Sequence, residues 1–173
     1  KHGLFSLESR PTPGLAQLLK VSGLNLKSQL SSEDLAFGLA PRLNAAGRLG
    51  QAQLGVELLV TENEERAEAL ATYLHELNEN RLHLERSIYL SASKQIKDKF
   101  DATQDSAFVL AGRGWHPGVI GIVAGRLAEK YTRPCVMIAL DELGQSIGTG
   151  SARSASGLNL HQTLSMCSEH LVT

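Results

Sequence analysis

The segment from Glu62 to about Asp98 contains no glycine and no proline, and it constrains the fold more than any other part of the sequence. Apolar residues recur in it at steps of three and four, which is the spacing of one face of a helix. Acidic residues crowd its beginning and lysines its end, an order that suits the helix macrodipole. About 37 residues at ~1.5 Å per residue predict a rod of roughly 55 Å.

A helix of that length is unusual inside a compact domain, so two structures compete: a coiled coil and a rigid strut between two domains. The heptad spacing breaks at Arg81 and Gln95, which favours the strut. Thr61 and Glu64 fit a capping box at its start, with Thr61 as the N-cap. We therefore predict one connecting helix over residues 61–99.

The preceding residues, 1–60, predict several short helices separated by turns. Pro13 suits a first helical turn and Gly23 suits a helix end. Ser31, with Asp34 three residues later, has the pattern of an N-cap. Pro41 is expected to interrupt the helix that follows, because proline lacks the N–H that a helix interior needs.

After residue 100 the hydrophobic period changes. Apolar runs at 107–111 and 134–140 predict two buried strands, and the segment between them that begins at Pro117 predicts a helix. Strand, helix and strand in this order predict a parallel β-α-β unit. A glycine-interrupted third strand is predicted at 146–151, and a last helix at 159–171.

These patterns place the chain in the α/β class. We predict a helical N-terminal segment, a long connecting helix, and a partial parallel or mixed β-sheet domain with β-α-β units over residues 100–173. Apolar residues make up 42% and charged residues 20%, which is typical of a globular chain. A length of 173 residues corresponds to about one domain or parts of two, and the first residue is not Met, so we expect a piece of a longer protein.

Composition also disfavours several function classes. No apolar run approaches the ~20 residues needed to cross a bilayer, and the N-terminus lacks a signal-peptide pattern. Cys135 and Cys167 form no C-x-x-C pair, so we expect two buried thiols in a reducing cytoplasm. An independent nucleic-acid-binding domain usually has a strong excess of basic residues, whereas the net charge of this chain is −1. If the chain binds nucleic acid, it would therefore do so through a few specific residues or together with a region outside this sequence.

Three segments carry residue types suited to binding an anion or a nucleotide. The first, Gly112–Gly118, lies between a predicted strand and a predicted helix, where α/β folds bind phosphates. It matches neither the dinucleotide fingerprint nor the Walker loop, and a simple turn is the alternative. Trp115 offers a stacking face there, and His116 offers a hydrogen-bonding ring.

The second segment, Gly148–Ser154, contains two glycines close together and carries Ser151, Arg153 and Ser154. Two hydroxyls and one guanidinium suit a phosphate, which arginine binds in bidentate fashion. No acidic residue lies between Leu143 and Ser168, so Arg153 has no partner nearby in the sequence. The alternative is an edge strand with a solvated arginine.

The third segment carries Arg42, Asn44 and Arg48 among small residues that permit close approach of a backbone or a nucleotide. The alternative is helix packing with two surface arginines. No catalytic or metal-binding residue is predicted anywhere, because the aspartates are scattered and the histidines form no H-x-x-x-H or H-x-H pattern. His75 and His83 are expected to be solvated on the long helix.

Three segments, taken in chain order, together resemble the RecJ family of bacterial single-strand-specific 5′→3′ exonucleases, which are DHH phosphoesterases. Gly38–Leu49 is similar to the family's proline-arginine-leucine-asparagine segment, and Trp115–Arg126 is similar to its histidine-centred loop and helix. Gly150–Ser154 is similar to its glycine-serine-x-arginine-serine strand, with Ala152 where members often carry glycine.

The resemblance implies a division of labour. Residues 1–60 would be the C-terminal part of the DHH domain, 61–99 the interdomain helix and 100–173 part of the DHH-associated domain. A divalent metal, Mn²⁺ or Mg²⁺, would be bound in the N-terminal DHH domain outside this chain, so this chain alone is expected to be inactive. The intact enzyme would hydrolyse single-stranded DNA from its 5′ end through a metal-activated water, in DNA repair and recombination in the cytoplasm.

The resemblance also implies binding roles rather than proton transfer. Ser151, Arg153 and Ser154 would hold the 5′ end, and Arg48 would contact a phosphate. Single-stranded DNA, a single-strand-binding protein and a helicase are the implied partners, with no membrane. The residues assigned to DNA and phosphate binding are Arg42, Asn44, Arg48, Trp115, His116, Ser151, Arg153 and Ser154.

Two alternatives stay open. A DHH-family phosphodiesterase acting on short oligoribonucleotides or cyclic dinucleotides would share the fold, although the segment from Arg42 to Arg48 favours the RecJ family. A non-catalytic RecJ-like scaffold module would keep only binding residues. The sequence upstream of Lys1 discriminates, because an intact aspartate-histidine-histidine motif indicates an enzyme.

Overall fold

The structure, a computed structural model, describes residues 2–101, 103–143, 147–154 and 157–172. These residues form two compact units, one up to Leu82 and one from His83 onward. The α/β class is confirmed, since helices dominate and accompany one small mixed sheet. In the described part of the chain, no helix combines the length and apolar character that crossing a membrane requires.

The first unit is helical. Leu18, Leu58 and Leu74 are fully buried at the centre of its core. A 3₁₀ turn at Leu24–Leu26 and a π-helical turn at Leu35–Leu39 accompany the helices. The helices that contribute to this unit are α1 (His2–Ser9), α2 (Pro13–Val21), α3 (Ser32–Asp34), α4 (Ala40–Arg48), α5 (Ala52–Val60) and the first part of α6 (Glu64–Lys99).

Signals at two helix ends of this unit are confirmed, and one is wrong. Ser31 and Asp34 form a reciprocal capping box, and Gly23 adopts a positive φ of 71° after α2. Pro41, however, does not interrupt the helical path from α3 to α4. The turn before it widens to π geometry, which accommodates the missing N–H and relieves the clash of the proline ring with the carbonyl four residues earlier.

The long helix α6 is continuous over 36 residues, as predicted. Its N-cap is Asn63 rather than Thr61, because Asn63 Oδ1 accepts the backbone N–H of Arg66 at 2.8 Å. The helix begins at Glu64, so the Thr61 side chain is too far upstream to cap it. The border between the two units falls within α6, and the predicted domain limits at residues 60 and 99 stay a prediction.

The second unit contains the sheet. Strands β1 and β2 are parallel, β3 is antiparallel to β2, and the order is β1-β2-β3, so the predicted β-α-β unit is confirmed. The third strand begins at Thr149; Ser146, where it was predicted to begin, lies outside the described residues. The elements are β1 (Phe108–Arg113), α7 (Pro117–Tyr131), β2 (Cys135–Leu140), β3 (Thr149–Arg153), α8 (Leu160–Ser165) and a 3₁₀ turn (Ser168–His170).

One face of this sheet forms the core of the second unit, together with α7 and the second half of α6. Phe108, Leu110 and Met137 are fully buried there. Burial raises the pKa of the Cys135 thiol to about 12. Cys167 is exposed after α8, so the expectation of two buried thiols is wrong for this residue.

Candidate nucleic-acid interface

Strand β3 presents Ser151 and Arg153 on the face of the sheet that α7 covers. Side chains alternate between faces along a strand, so residues two apart share a face. Ser151 pairs with Met137 and Arg153 pairs with Cys135, and both partners are buried on the α7 side. Ser151 and Arg153 therefore lie next to each other on the side of the sheet that faces α7.

A hydrogen bond joins these two side chains. Arg153 Nη1 donates to Ser151 Oγ at 3.2 Å and to the Ala152 carbonyl at 2.7 Å. Among the residues that the structure describes, Arg153 Nε and Nη2 make no hydrogen bond, and no carboxylate lies within ion-pair distance of them. An exposed guanidinium with unused donors beside a hydroxyl is suited to binding two oxygens of a phosphate. Ser154 directly follows the strand and is half-buried.

The turn before α7 carries Trp115 and His116. His116 caps the helix, since its Nδ1 accepts the backbone N–H of Gly118 at 3.1 Å. The proton of the neutral ring is therefore on Nε2, which is left as a donor. Trp115 is only 7% exposed and packs on Gly112, where any side chain would overlap the indole. Little of its surface is left for stacking a base, so packing is its main role in this structure.

A cleft of about 380 Å³ opens at the carboxyl ends of β1 and β2, beside the start of α7. His116 and Thr149 line it together with the acidic residues Asp141 and Glu142. Because carboxylates repel a phosphate, this cleft suits a sugar or a base better than an anion. Of the residues of this unit that are predicted from the sequence to bind DNA, Arg153 is the one that carries a permanent positive charge.

In the first unit, the three predicted residues of α4 do not share one face. Arg42 and Arg48 are six residues apart, which places them about 120° apart around the helix. Arg42 is half-buried; its Nε donates to His75 Nδ1 at 3.1 Å and its Nη1 donates to the Gly38 carbonyl. Burial lowers the pKa of Arg42. Asn44 and Arg48 are exposed and share the other face, since they are four residues apart.

The expectation for His75 is wrong. His75 is half-buried and accepts the hydrogen bond from Arg42, whereas His83 is exposed as expected. The sequence holds no local signal for this pair, because its members lie 33 residues apart. Across the described ranges, no group of three or more histidine, cysteine, aspartate or glutamate side chains is arranged to hold a metal ion.

Known proteins resemble the chain in sequence. Residues 104–171 match the DHHA1 domain. The chain is 38% identical over 169 residues to the single-stranded-DNA-specific exonuclease RecJ of Bacillus subtilis and 36% identical over 155 residues to that of Escherichia coli. These alignments cover 98% and 88% of this chain but 21% and 26% of the relatives. The chain thus spans about a quarter of the length of the curated relatives it matches.

Solved structures resemble it in fold as well. The crystal structure of RecJ from Thermus thermophilus in complex with Mg²⁺ matches with a TM-score of 0.81 and 31% identity, over 99% of this chain and 25% of that one. A crystal structure of exonuclease RecJ bound to manganese matches with a TM-score of 0.75 and 32% identity, over 94% of this chain and 38% of that one.

Proposed function

Because the chain belongs to the RecJ family of DHH phosphoesterases, of whose curated members it spans about a quarter, we propose that it is the strand-binding part of a single-stranded-DNA-specific 5′→3′ exonuclease. Its task is to hold the 5′-terminal phosphate of the strand. The intact enzyme hydrolyses phosphodiester bonds from that end, and this chain alone is inactive.

The Ser151–Arg153 pair carries this proposal. It combines one hydroxyl with a guanidinium that keeps two nitrogens unused within the described structure. A phosphate monoester carries about −1.5 to −2 charges at neutral pH and offers three strong acceptor oxygens. An internal phosphodiester carries less charge and has fewer acceptor oxygens. The guanidinium, with its several charged donors, should therefore bind the terminal phosphate more tightly than an internal one. Recognition of the end is what a 5′-directed exonuclease needs.

The other residues predicted to bind DNA have different roles in this proposal, and some matter to it more than others. Asn44 and Arg48 are exposed on one face of α4 and suit contacts with internal phosphates, which add affinity without reading sequence. His116 offers its Nε2 proton to a sugar or a base at the cleft. Arg42 has an anchoring role in its own unit besides the proposed DNA contact, and the proposal does not depend on stacking by Trp115.

The proposal extends to parts of the intact protein that this chain does not contain. A divalent metal, Mn²⁺ or Mg²⁺, is bound there, which the metal ions in the related crystal structures support. The described residues of this chain do not fit such an ion, so no step of the hydrolysis is assigned to them. The enzyme acts in DNA repair and recombination in the cytoplasm, with a single-strand-binding protein and a helicase as partners.

The test compares the affinity of the full-length protein for one single-stranded oligonucleotide with a 5′ phosphate and with a 5′ hydroxyl, over a range of salt concentrations. We expect tighter binding of the phosphorylated end, and loss of that preference in Arg153→Ala. The slope of log affinity against log salt should also fall by about 0.7 for each lost phosphate contact.

Arg86→Ala is the matched control, because Arg86 is an exposed arginine on α6 in the same unit. It removes the same charge but should leave the preference for the 5′ phosphate intact. Equal preference in the wild type and in Arg153→Ala would mean that this residue does not recognise the end, and the proposal would be wrong.

A further inference from the structure

We propose that Gly121 is a positioning residue for the phosphate site, because the bare backbone at position 121 of α7 leaves the space in which Ser151 and Arg153 meet. This inference rests on the proposed function of that pair. Gly121 would be a third component of the site, on α7 rather than on β3, and it would not itself contact the phosphate.

The distances at position 121 leave no room for a side chain. A Cβ atom added to Gly121 would lie 2.8 Å from Ser151 Oγ and 3.2 Å from Arg153 Nη2. Both distances are shorter than ordinary van der Waals contact between carbon and these atoms, which begins near 3.5 Å (about the optimum for heavy-atom pairs). A methyl group would therefore displace the hydroxyl and the guanidinium nitrogen that the site uses.

The displacement should fall on the site rather than on the helix. α7 is fixed by fully buried residues on either side of position 121, including Val119, Ile120 and Val123. Moving the helix away would open this core, which is costly. The side chain of Arg153 is long and exposed, so its guanidinium can move away from the added methyl group instead. The Nη1–Oγ hydrogen bond of 3.2 Å between Arg153 and Ser151 would be lost or reoriented.

Gly125 provides the contrast. It lies one turn further along the same face of α7, and a Cβ atom there would lie 3.9 Å from Arg153 Cγ, an ordinary contact with the aliphatic part of the side chain. The two glycines, four residues apart, thus differ in how much space the structure leaves for a side chain. Position 125 can accept a methyl group, whereas position 121 cannot without moving Ser151 or Arg153.

The experiment measures, in the full-length protein, the ratio of affinities for a 5′-phosphorylated and a 5′-hydroxyl oligonucleotide of one sequence. The variants are Gly121→Ala, Gly125→Ala and Arg153→Ala. Both alanine substitutions on α7 favour the helix equally, so they are matched in backbone effect. We expect the ratio to fall roughly tenfold to a hundredfold in Gly121→Ala, the range of a lost hydrogen bond to a charged group, and to stay unchanged in Gly125→Ala.

Each other outcome contradicts a defined part of the argument. If Arg153→Ala loses the preference but Gly121→Ala keeps it, the positioning role is wrong while the proposed function stands. If Gly125→Ala loses it as much as Gly121→Ala, the effect belongs to the helix as a whole and the inference also fails. If Arg153→Ala keeps the preference, the proposed function itself is wrong.

A second pair of variants covers the case in which Gly121→Ala does not fold. Ser151→Ala removes the hydroxyl that makes the closer contact, and the 3.2 Å contact with Arg153 Nη2 remains. Adding Gly121→Ala to that background should lower the affinity ratio below that of Ser151→Ala alone. Equal ratios in the single and the double variant would overturn the inference.

Discussion

At the scale of single residues, Arg42 and Arg153 differ in how many of their donors are already used. Arg42 donates from Nε and Nη1 to groups of its own unit, and burial lowers its pKa. Arg153 donates only from Nη1 in the described structure and is exposed. The sequence shows an arginine among small residues in both cases, so it could not rank them. The difference arises from partners that the fold brings together.

The hydrogen bond between Arg42 and His75 predicts a stability effect. In His75→Ala, Nε of the half-buried Arg42 loses its acceptor, which should lower the free energy of unfolding by about 1–2 kcal/mol. His83→Ala is the matched control, because His83 is an exposed histidine on the same helix and should change stability by less than about 0.5 kcal/mol. Urea unfolding curves measure both, and equal effects would contradict the anchoring role of His75.

At the scale of elements, the start of α6 distinguishes the predicted cap from the observed one. Asn63→Ala removes the acceptor of the Arg66 N–H at 2.8 Å and should cost about 1 kcal/mol. Thr61→Ala removes only a longer hydrogen bond of 3.3 Å outside the helix and should cost less. Thermal unfolding of the two variants compares them directly. A larger loss in Thr61→Ala would mean that the capping box predicted from the sequence forms in solution.

The helices and strands were more predictable from the sequence than the turns and contacts that connect them. The extent of α6, the capping box at Ser31 and the β-α-β order follow from periodicity and from neighbours within four residues, so the sequence reveals them. The π turn before Pro41 was missed although its cause is local, because proline was expected to end the helix rather than to widen the turn before it. A different limit applies to the site. Ser151 and Arg153 are recognisable on one strand, but their contact with Gly121 crosses from β3 to α7.

At the scale of the whole molecule, one face of the sheet is packed against α7, whereas Val109 on the other face meets solvent. Val109 alternates with Phe108 and Leu110 along β1 and is 56% exposed, whereas those two are fully buried. Val136 and Ala152 extend the same row across β2 and β3. The stability of the second unit therefore depends mainly on the α7 face, where its apolar residues are packed.

This asymmetry predicts opposite effects for two neighbouring substitutions. Val109→Lys places a charge where the side chain already meets solvent, so the 173-residue chain should change its unfolding free energy by less than about 0.5 kcal/mol. Leu110→Lys places the same charge at a fully buried position and should prevent folding of the second unit, because an unpaired charge in the core costs several kcal/mol. Circular dichroism melts compare the two. A severe loss in Val109→Lys would show that this face is packed in solution, and the dependence of stability on the α7 face would have to be abandoned.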